Sequence, residues 1–470
     1  MTVSVVLGDE TLTKGYGLAN ADTSAINDKN TLFRIGSISK LFVWLSAHML
    51  AEEGKLDLDQ PINEIAPKLN IEEAFDRQIT MRDLMSHRPG FEDHLQDFID
   101  PNRNISLEEA VTTRKPARIA PPGERTSYSN SGTNMAAYVI ELVSGMEYYN
   151  FVKSRILEPV GLVSTILQDP GLERNPELLE ARMAQPHKME SGVAKVVKFM
   201  AVRPQEPVGA VAMDAVDAAT FMRMLLNQTQ YEGGRLLSAE TWQKIQRPAF
   251  ENAIGDDMGW GFMLNQVDGL ATIGHGGATR FLSWMFVIPE LDIGVFVSSN
   301  MDTAESRGEK LAWSIVRQVT GTGTLADFLA LKGNVDEANA IAGTYLDNRR
   351  SFRGGANLFN LGADTEVSAT EDGYLLLGAT PTRYAPIADN LWVNQNGIRL
   401  GVIKDRNGDV IRLQTGFGSS TLEKVGFLSS SNALLIGFGG TALFTVTAIL
   451  GMYYRFRRED IASQTGKILR

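Results

Sequence analysis

Between Gly261 and Asn300 four apolar runs, "GFMLNQ", "LATIGH", "FLSWMFVI" and "IGVFVSSN", follow one another with short turns between them. The turns carry Asp268-Gly269 and Pro289-Glu290-Leu291-Asp292, residues that reverse a chain. Runs so closely spaced predict an antiparallel meander. At the other end, "TVSVVL", a Gly8-Asp9-Glu10 turn and "TLTKGYGLANA" read as a hairpin. A helix is expected from about Ser37, with Leu41, Leu45, His48 and Met49 on one stripe and a stop at Gly54. Residues 55–255 are mainly helical patterns and loops, such as "NSGTNMAAYVIELVSG" and "DAATFMRMLLNQ", and "RGEKLAWSIVRQV" closes the region. The predicted fold class is α+β: an antiparallel sheet built from both ends of a domain, flanked by helices, with a helical insert.

The chain has 470 residues, enough for two to three domains. The character changes after "TGTGTLADFLALKGNVDEAN". Residues 340–427 hold short β-like runs, "GYLLLG", "NLWVNQ", "GIRLGVIKD" and "VIRLQTG", which predict a small β domain serving as a spacer or packing module. From Ala433 to Tyr454 there is no charged residue, a length that can cross a hydrocarbon core of roughly 30 Å, and Arg455, Arg457 and Arg458 follow at once. The segment is read as a membrane span, with a buried core helix as the alternative. The expected boundaries are a large first domain at 1–335, the β domain at 336–427, a transmembrane helix at 428–456 and a tail at 457–470.

The three arginines place the tail in the cytoplasm and the large N-terminal part outside. No basic n-region or apolar h-region precedes the first strand, so no signal peptide is read there, and that stands in tension with an outward orientation. Net charge is −11, and no long basic run precedes the C-terminal end, so a nucleic-acid partner is not expected. No cysteine is present, which removes disulfides and a thiolate nucleophile. The five histidines, His48, His87, His94, His187 and His275, show no metal-ligand spacing, so neither a metal nor an organic cofactor is expected.

The candidate chemistry begins at "FRIGSISK". A serine in the first helical turn offers its N–H to an oxyanion and its hydroxyl to a cleft, and a lysine three residues on shares its face. Apolar surroundings that lower the lysine's pKa would let Lys40 take the proton of Ser37. Ser39 points off that face and reads as a capping or surface serine. Alone, S-x-x-K is a common tetrapeptide, and two other stretches give it weight. "PPGERTSYSNSG" sets Tyr128 and Asn130 in a polar loop before a helix, the tyrosine as a second proton shuttle with its phenolate favoured by nearby cations, the amide to hold the lysine and a substrate carbonyl. Tyr148-Tyr149-Asn150 has the same spacing, but on an amphipathic helix. "IGHGGATRF" ends a strand with His275, Gly276 and Gly277, whose missing side chains admit a substrate backbone, and the next N–H, of Ala278, can complete an oxyanion hole.

"FRIGSISK", "SYSN" and "GHGG", in that order and spacing, resemble the serine β-lactamase-like superfamily, in the branch of class C β-lactamases, D-peptidases and β-lactamase-like esterases. The similarity runs from about Val3 to Thr320 and takes in "LMSHRPGF", "GGRLLSAETW" and "VFVSSN". It implies Ser37 as the acylated nucleophile, Lys40 as its base, Tyr128 as the catalytic tyrosine and Asn130 as a substrate amide. It also implies His275-Gly276-Gly277 in place of a Lys-Thr-Gly triplet, with Ser37 and Ala278 supplying the oxyanion hole. The histidine departs from the pattern by removing a permanent cation, which favours esters or amides over penicillins. Arg280 is a conceivable carboxylate anchor but reads better as a solvated strand-end charge. His48 reads as structural, and His87 as a loop-stabilising residue with some chance of lining the cleft.

The expected function is therefore a membrane-anchored serine hydrolase acting through an acyl-enzyme on a small ester, amide or peptide. A cell-wall D-alanyl-D-alanine carboxypeptidase or β-lactamase is the alternative within the enzyme class. A non-catalytic sensor or binding protein of the same fold is the alternative outside it. Substrate and oligomeric state are not legible.

Overall fold

The structure is a computed structural model. It describes residues 1–93, 105–168, 182–202, 204–251, 254–303, 307–322, 325–352, 363–378, 381–415 and 418–468. The N-terminal hairpin, β1 (Thr2–Leu7) and β2 (Glu10–Gly15), joins the later strands β3 (Asp257–Met258), β4 (Met263–Val267), β5 (Leu270–Ala278), β6 (Leu282–Ile288) and β7 (Ile293–Ser299). They form one antiparallel sheet in the order β3-β4-β5-β6-β7-β1-β2. The N-terminal hairpin meets the later strands where β1 pairs β7, Thr2 opposite Ser298 and Leu7 opposite Ile293.

Side chains alternate across the sheet and divide the core in two. Val295 and Val297 face the helix Arg307–Thr320, where Phe286 stacks on Trp313 with ring centroids 4.2 Å apart. Phe296, Met285 and Val287 face the other way, into the larger core with α1 (Lys40–Glu52), α2 (Asn130–Ser144) and α3 (Ala215–Leu226). The expected single stripe on α1 is not what forms. Leu41, Phe42, Val43, Trp44, Leu45, Ala47 and Leu50 are all fully buried. A helix apolar on every side lies inside the core, here packed against α2 and the helical insert as well as the turn Gly36–Ser39.

Eight antiparallel strands, the first Gly343–Asp347 and the last Ser420–Val425, close into a barrel whose interior holds Tyr345, Trp392, Leu400 and Leu413. The first and last strands pair, Thr344 opposite Val425, so the barrel has no free edge there. A 38-residue helix, Ser431–Ile468, follows. Its portion Leu435–Glu459 is long and apolar enough to cross a membrane, and none of it is buried against the rest of the chain.

Candidate active site

Ser37 lies on a 3₁₀ turn, Gly36–Ser39, that runs directly into α1. Two glycines fix where this turn sits. Gly36 has φ +56°, and a Cβ there would stand 2.8 Å from the Ala278 amide nitrogen. A Cβ on Gly277 would stand 1.9 Å from the Ile35 carbonyl oxygen and 3.1 Å from the Ser37 nitrogen. Only residues without side chains let the end of β5 touch the serine turn, and the contact brings together the backbone at Ser37 and Ala278. The β4–β5 ladder stops at Gly274, while β5 stays paired with β6 through Ala278. Among the described residues, His275–Ala278 therefore keep one edge without a strand neighbour, beside the serine. A Cβ on Gly276 would press on the Trp284 ring, so this glycine serves packing beneath that edge.

Ser39 is not a surface residue. It is fully buried, its Oγ donating to the Gly36 carbonyl (2.6 Å) and accepting from the Val211 N–H (3.2 Å), so it pins the turn from below. Lys40 is fully buried as well. Its Nζ lies 3.0 Å from Ser37 Oγ, donates to the Val208 carbonyl at 2.9 Å and stands 4.9 Å from the centre of the Tyr128 ring. Burial, reinforced by the charge of Arg349 and partly opposed by Asp93, holds the lysine pKa well below its ordinary value. The shift favours the amine form, whose lone pair can accept the serine proton.

Tyr128 is placed by the start of α2, whose N-cap Ser129 accepts from the Gly132 N–H at 3.0 Å. Its hydroxyl is 3.3 Å from His275 Nε2. His275 Nδ1 lies 2.5 Å from the Gly276 carbonyl, which accepts its proton and leaves Nε2 to accept from the tyrosine. Burial first, then Lys40, lowers the His275 pKa to about 3, so the ring is neutral throughout the physiological range. The expected phenolate does not form: burial raises the Tyr128 pKa and outweighs the opposing Ser37 contact and Arg349 charge. Tyr128 is a neutral donor beside a neutral His275.

Asn130 is the first residue of α2 and half-buried; it is not among the partners of Lys40, which are Ser37 and Val208. Arg280 forms an ion pair with Asp302 at 2.7 Å, and both are about one-third exposed. His48 is fully internal, Nε2 on the Trp260 carbonyl at 3.0 Å. The Tyr149 hydroxyl donates to Glu206 (3.1 Å), and Tyr148 is buried in the core. His94 lies outside the described residues.

Four contributors carried no readable signal of their own or only a faint one. Val208 supplies a carbonyl to the lysine. His87, at φ +54°, stacks on Tyr128 with centroids 4.1 Å apart. Asp93 and Arg349 pair beside the same tyrosine, the latter from the barrel, with its guanidinium 4.9 Å from the ring centre. The barrel is thus no mere spacer: Asn348 and Thr421 both hydrogen-bond the Thr126 carbonyl, two residues before Tyr128. No pattern in "DNRRSF" points to a site so distant in sequence.

A family model described as Beta-lactamase matches residues 1–320. Penicillin-binding protein 4 of Amycolatopsis lactamdurans is 23% identical over 327 residues, covering 65% of this chain and 81% of that protein. The D-alanyl-D-alanine-carboxypeptidase/endopeptidase AmpH of Escherichia coli strain K12 is 24% identical over 317 residues, covering 63% and 78%. Among solved structures, the octameric penicillin-binding protein homologue from Pyrococcus abyssi matches with TM-score 0.58 at 21% identity, covering 90% of this chain and 95% of that one.

Proposed function

The chain belongs to the beta-lactamase family, and within it we propose that it is a serine hydrolase working through an acyl-enzyme on carboxylic esters or amides. The observation that carries this reading is the buried Lys40 amino group 3.0 Å from the Ser37 hydroxyl, its pKa held well below the ordinary value by burial. Ser37 Oγ attacks the carbonyl carbon while its proton passes to Lys40 Nζ. The backbone N–H groups of Ser37 and Ala278 receive the oxyanion of the tetrahedral intermediate. On collapse, the proton on Lys40 reaches the departing alcohol or amine by way of the Tyr128 hydroxyl, and Ser37 is left as an ester. Water then attacks that ester, Lys40 and Tyr128 again handling its proton, and the carboxylic acid leaves. No step calls on a metal or organic cofactor.

The neutral His275 supports ester or unstrained amide substrates over penicillins, because no cation stands at the triplet position to hold a β-lactam carboxylate. A second reading, cleavage of D-alanyl peptides, draws on the similarity to AmpH, a D-alanyl-D-alanine-carboxypeptidase/endopeptidase. The apolar helix supports anchoring in a membrane through residues 433–454, with Arg455, Arg457 and Arg458 on the cytoplasmic side and the hydrolase on the other. The test is covalent labelling by a fluorophosphonate together with turnover of p-nitrophenyl esters, nitrocefin and D-Ala-terminated peptides. Ser37→Ala is expected to abolish both labelling and ester turnover. A variant that keeps full activity defeats the assignment, and a wild-type protein acylated by none of these reagents favours a non-catalytic binding role.

A further inference from the structure

We propose that Tyr149 and Glu206 are positioning residues for the base: they clamp the turn whose Val208 carbonyl aims the Lys40 amine at Ser37. The inference rests on the serine hydrolase reading for the role of Lys40, while the chain of hydrogen bonds stands on geometry. Tyr149 is the middle residue of the second Tyr-x-Asn spacing, Tyr148-Tyr149-Asn150. Lys40 Nζ lies 3.0 Å from Ser37 Oγ and donates to the Val208 carbonyl at 2.9 Å. An amine that takes a proton from Ser37 turns its lone pair to that hydroxyl and must place its own N–H groups elsewhere. The Val208 carbonyl receives one of them, which limits rotation of the amine about its last bond. Once the proton has moved, the same carbonyl faces an ammonium, a stronger donor. Its direction therefore bears on the aim of the base and on its pKa.

Val208 is buried and ends a 3₁₀ turn, Glu206–Val208. The Gly209 and Ala210 N–H groups both donate to the Glu206 carbonyl, at 3.1 and 3.0 Å, so the turn is closed around Val208. Downstream, the chain is fastened to the serine turn: the Val211 N–H donates to Ser39 Oγ at 3.2 Å, and the Val211 carbonyl accepts from the Ile35 N–H at 2.9 Å. Upstream, the Glu206 side chain accepts from the Tyr149 hydroxyl at 3.1 Å, on a residue only 7% exposed. Tyr149 is itself held in place. Its ring meets that of buried Tyr148 edge-on, with centroids 5.4 Å apart, and the Tyr148 N–H donates to Glu141 at 2.9 Å. Burial, then the Glu206 carboxylate, raises the Tyr149 pKa well above its ordinary value, so the phenol keeps the proton it donates. The Val208 carbonyl thus sits between two anchors, one on the serine turn and one on the helix Tyr148–Val152.

The link runs through the backbone and not through charge. The charges that act on Lys40 are those of Arg349 and Asp93, and Tyr128, His87 and His275 stand near it as neutral groups. The Glu206 carboxylate acts instead on Arg34, whose pKa burial lowers to about 10 against the opposing pull of Glu206. A carboxylate is therefore not what the clamp requires; a side-chain oxygen within reach of the Tyr149 hydroxyl is.

The test uses the full chain in detergent micelles, as wild type, Glu206→Ala, Glu206→Gln and Tyr149→Phe. Turnover of a p-nitrophenyl ester should fall about 10–100-fold in Glu206→Ala, the cost of a catalytic group displaced by about 1 Å, and less in Tyr149→Phe. In both, the acid limb of the kcat/KM profile should move to lower pH, because losing an aligned carbonyl disfavours the Lys40 ammonium more than the amine. Glu206→Gln keeps an oxygen for the Tyr149 hydroxyl and should recover most of the rate and of the midpoint. A wild-type midpoint in Glu206→Ala overturns the proposal, since a clamp that only stabilises the fold lowers Tm and leaves the limb in place. A glutamine variant as impaired as the alanine one overturns it too, by making the charge the operative property. A second measurement needs no turnover: the rise in Tm caused by Lys40→Met should be larger by about 2–4 °C in the Glu206→Ala background than in wild type, the worth of one hydrogen bond to the lysine. Equal rises in the two backgrounds overturn the proposal. Fluorophosphonate labelling of Ser37 reads the hydrolase assignment separately: a chain that is never labelled yet shows unequal rises loses that assignment and keeps the clamp on Lys40.

Discussion

His87 holds Tyr128 by both of its sequence neighbours. The Ser127 N–H donates to the His87 carbonyl at 2.8 Å, and the Ser129 N–H donates to His87 Nδ1 at 3.1 Å. The two rings lie 4.1 Å apart at an interplanar angle of 30°. Burial above all, with the charge of Arg349 a lesser cause, pushes the His87 pKa well below its ordinary value, so the ring stays a neutral acceptor. The tyrosine hydroxyl is therefore aimed by a residue that never meets the reacting atoms.

His87→Ala should accordingly lower kcat for a p-nitrophenyl ester about 10–100-fold, the cost of a catalytic group displaced by about 1 Å, with little change in KM. His87→Asn keeps a side-chain acceptor for the Ser129 N–H and should recover part of the loss. Steady-state kinetics on the two variants check this. Equal losses in both, matched by equal falls in Tm, would mean that His87 only stabilises its loop.

Lys40 sets activity against stability. Its folded-state pKa lies below its unfolded value near 10.4, so between those two values the unfolded chain binds one more proton than the folded one. This residue's contribution then makes stability rise as pH increases through that window, and at neutral pH the buried amine is destabilising. Lys40→Met should abolish turnover, a loss of roughly 10²–10⁴-fold from removing the base. It should nevertheless raise Tm, by about 2–4 °C for each kcal/mol regained. Thermal melts from pH 6 to 10 provide the check, with the gap between variant and wild type narrowing as pH rises. A variant that melts lower than wild type at pH 7 would show that Lys40 is a net stabiliser.

Residues that act through local spacing were the legible ones. Ser37 and Lys40 are three apart on one continuous turn and helix, so their contact follows from helical geometry alone. The sheet was readable because alternating apolar runs and turn residues encode strands locally, and the hairpin and meander did combine into one sheet. The stripe on α1 failed because burial on every side removes the periodicity that a surface helix shows. The phenolate failed because cations were weighed without the desolvation that burial imposes. Arg349 could not be read at all. Ser127 and its partner Asn348 are 221 residues apart, and only closure of the barrel brings that turn to the tyrosine.

The pH dependence of catalysis separates Lys40 from His275. His275 titrates at about 3, so it stays neutral through the range in which the enzyme can be assayed. The fall in kcat/KM on the acid side should then belong to protonation of Lys40, with activity rising as pH increases. His275→Gln keeps an acceptor for the Tyr128 hydroxyl, and it should lower the rate without moving the midpoint of that acid limb. A pH–rate profile of the variant measures this directly. A shifted or missing limb would assign the titration to the histidine.

Gly277→Ala tests the contact that brings the two proposed oxyanion donors, the N–H groups of Ser37 and Ala278, together. The added Cβ would lie 1.9 Å from the Ile35 carbonyl oxygen, a backbone atom that cannot turn aside as a side-chain end can. The strand end must therefore retreat from the Ser37 turn, taking the Ala278 N–H with it. Loss of one oxyanion donor costs about 10²–10³ in kcat, so ester turnover should fall by that order. Lys40 still lies 3.0 Å from Ser37 on the other side of the turn, and its capacity to accept the serine proton does not depend on β5. Fluorophosphonate labelling should therefore slow but persist, whereas Ser37→Ala removes it altogether. If Gly277→Ala turns over esters at the wild-type rate, the close approach of β5 to the serine turn is not what holds the oxyanion.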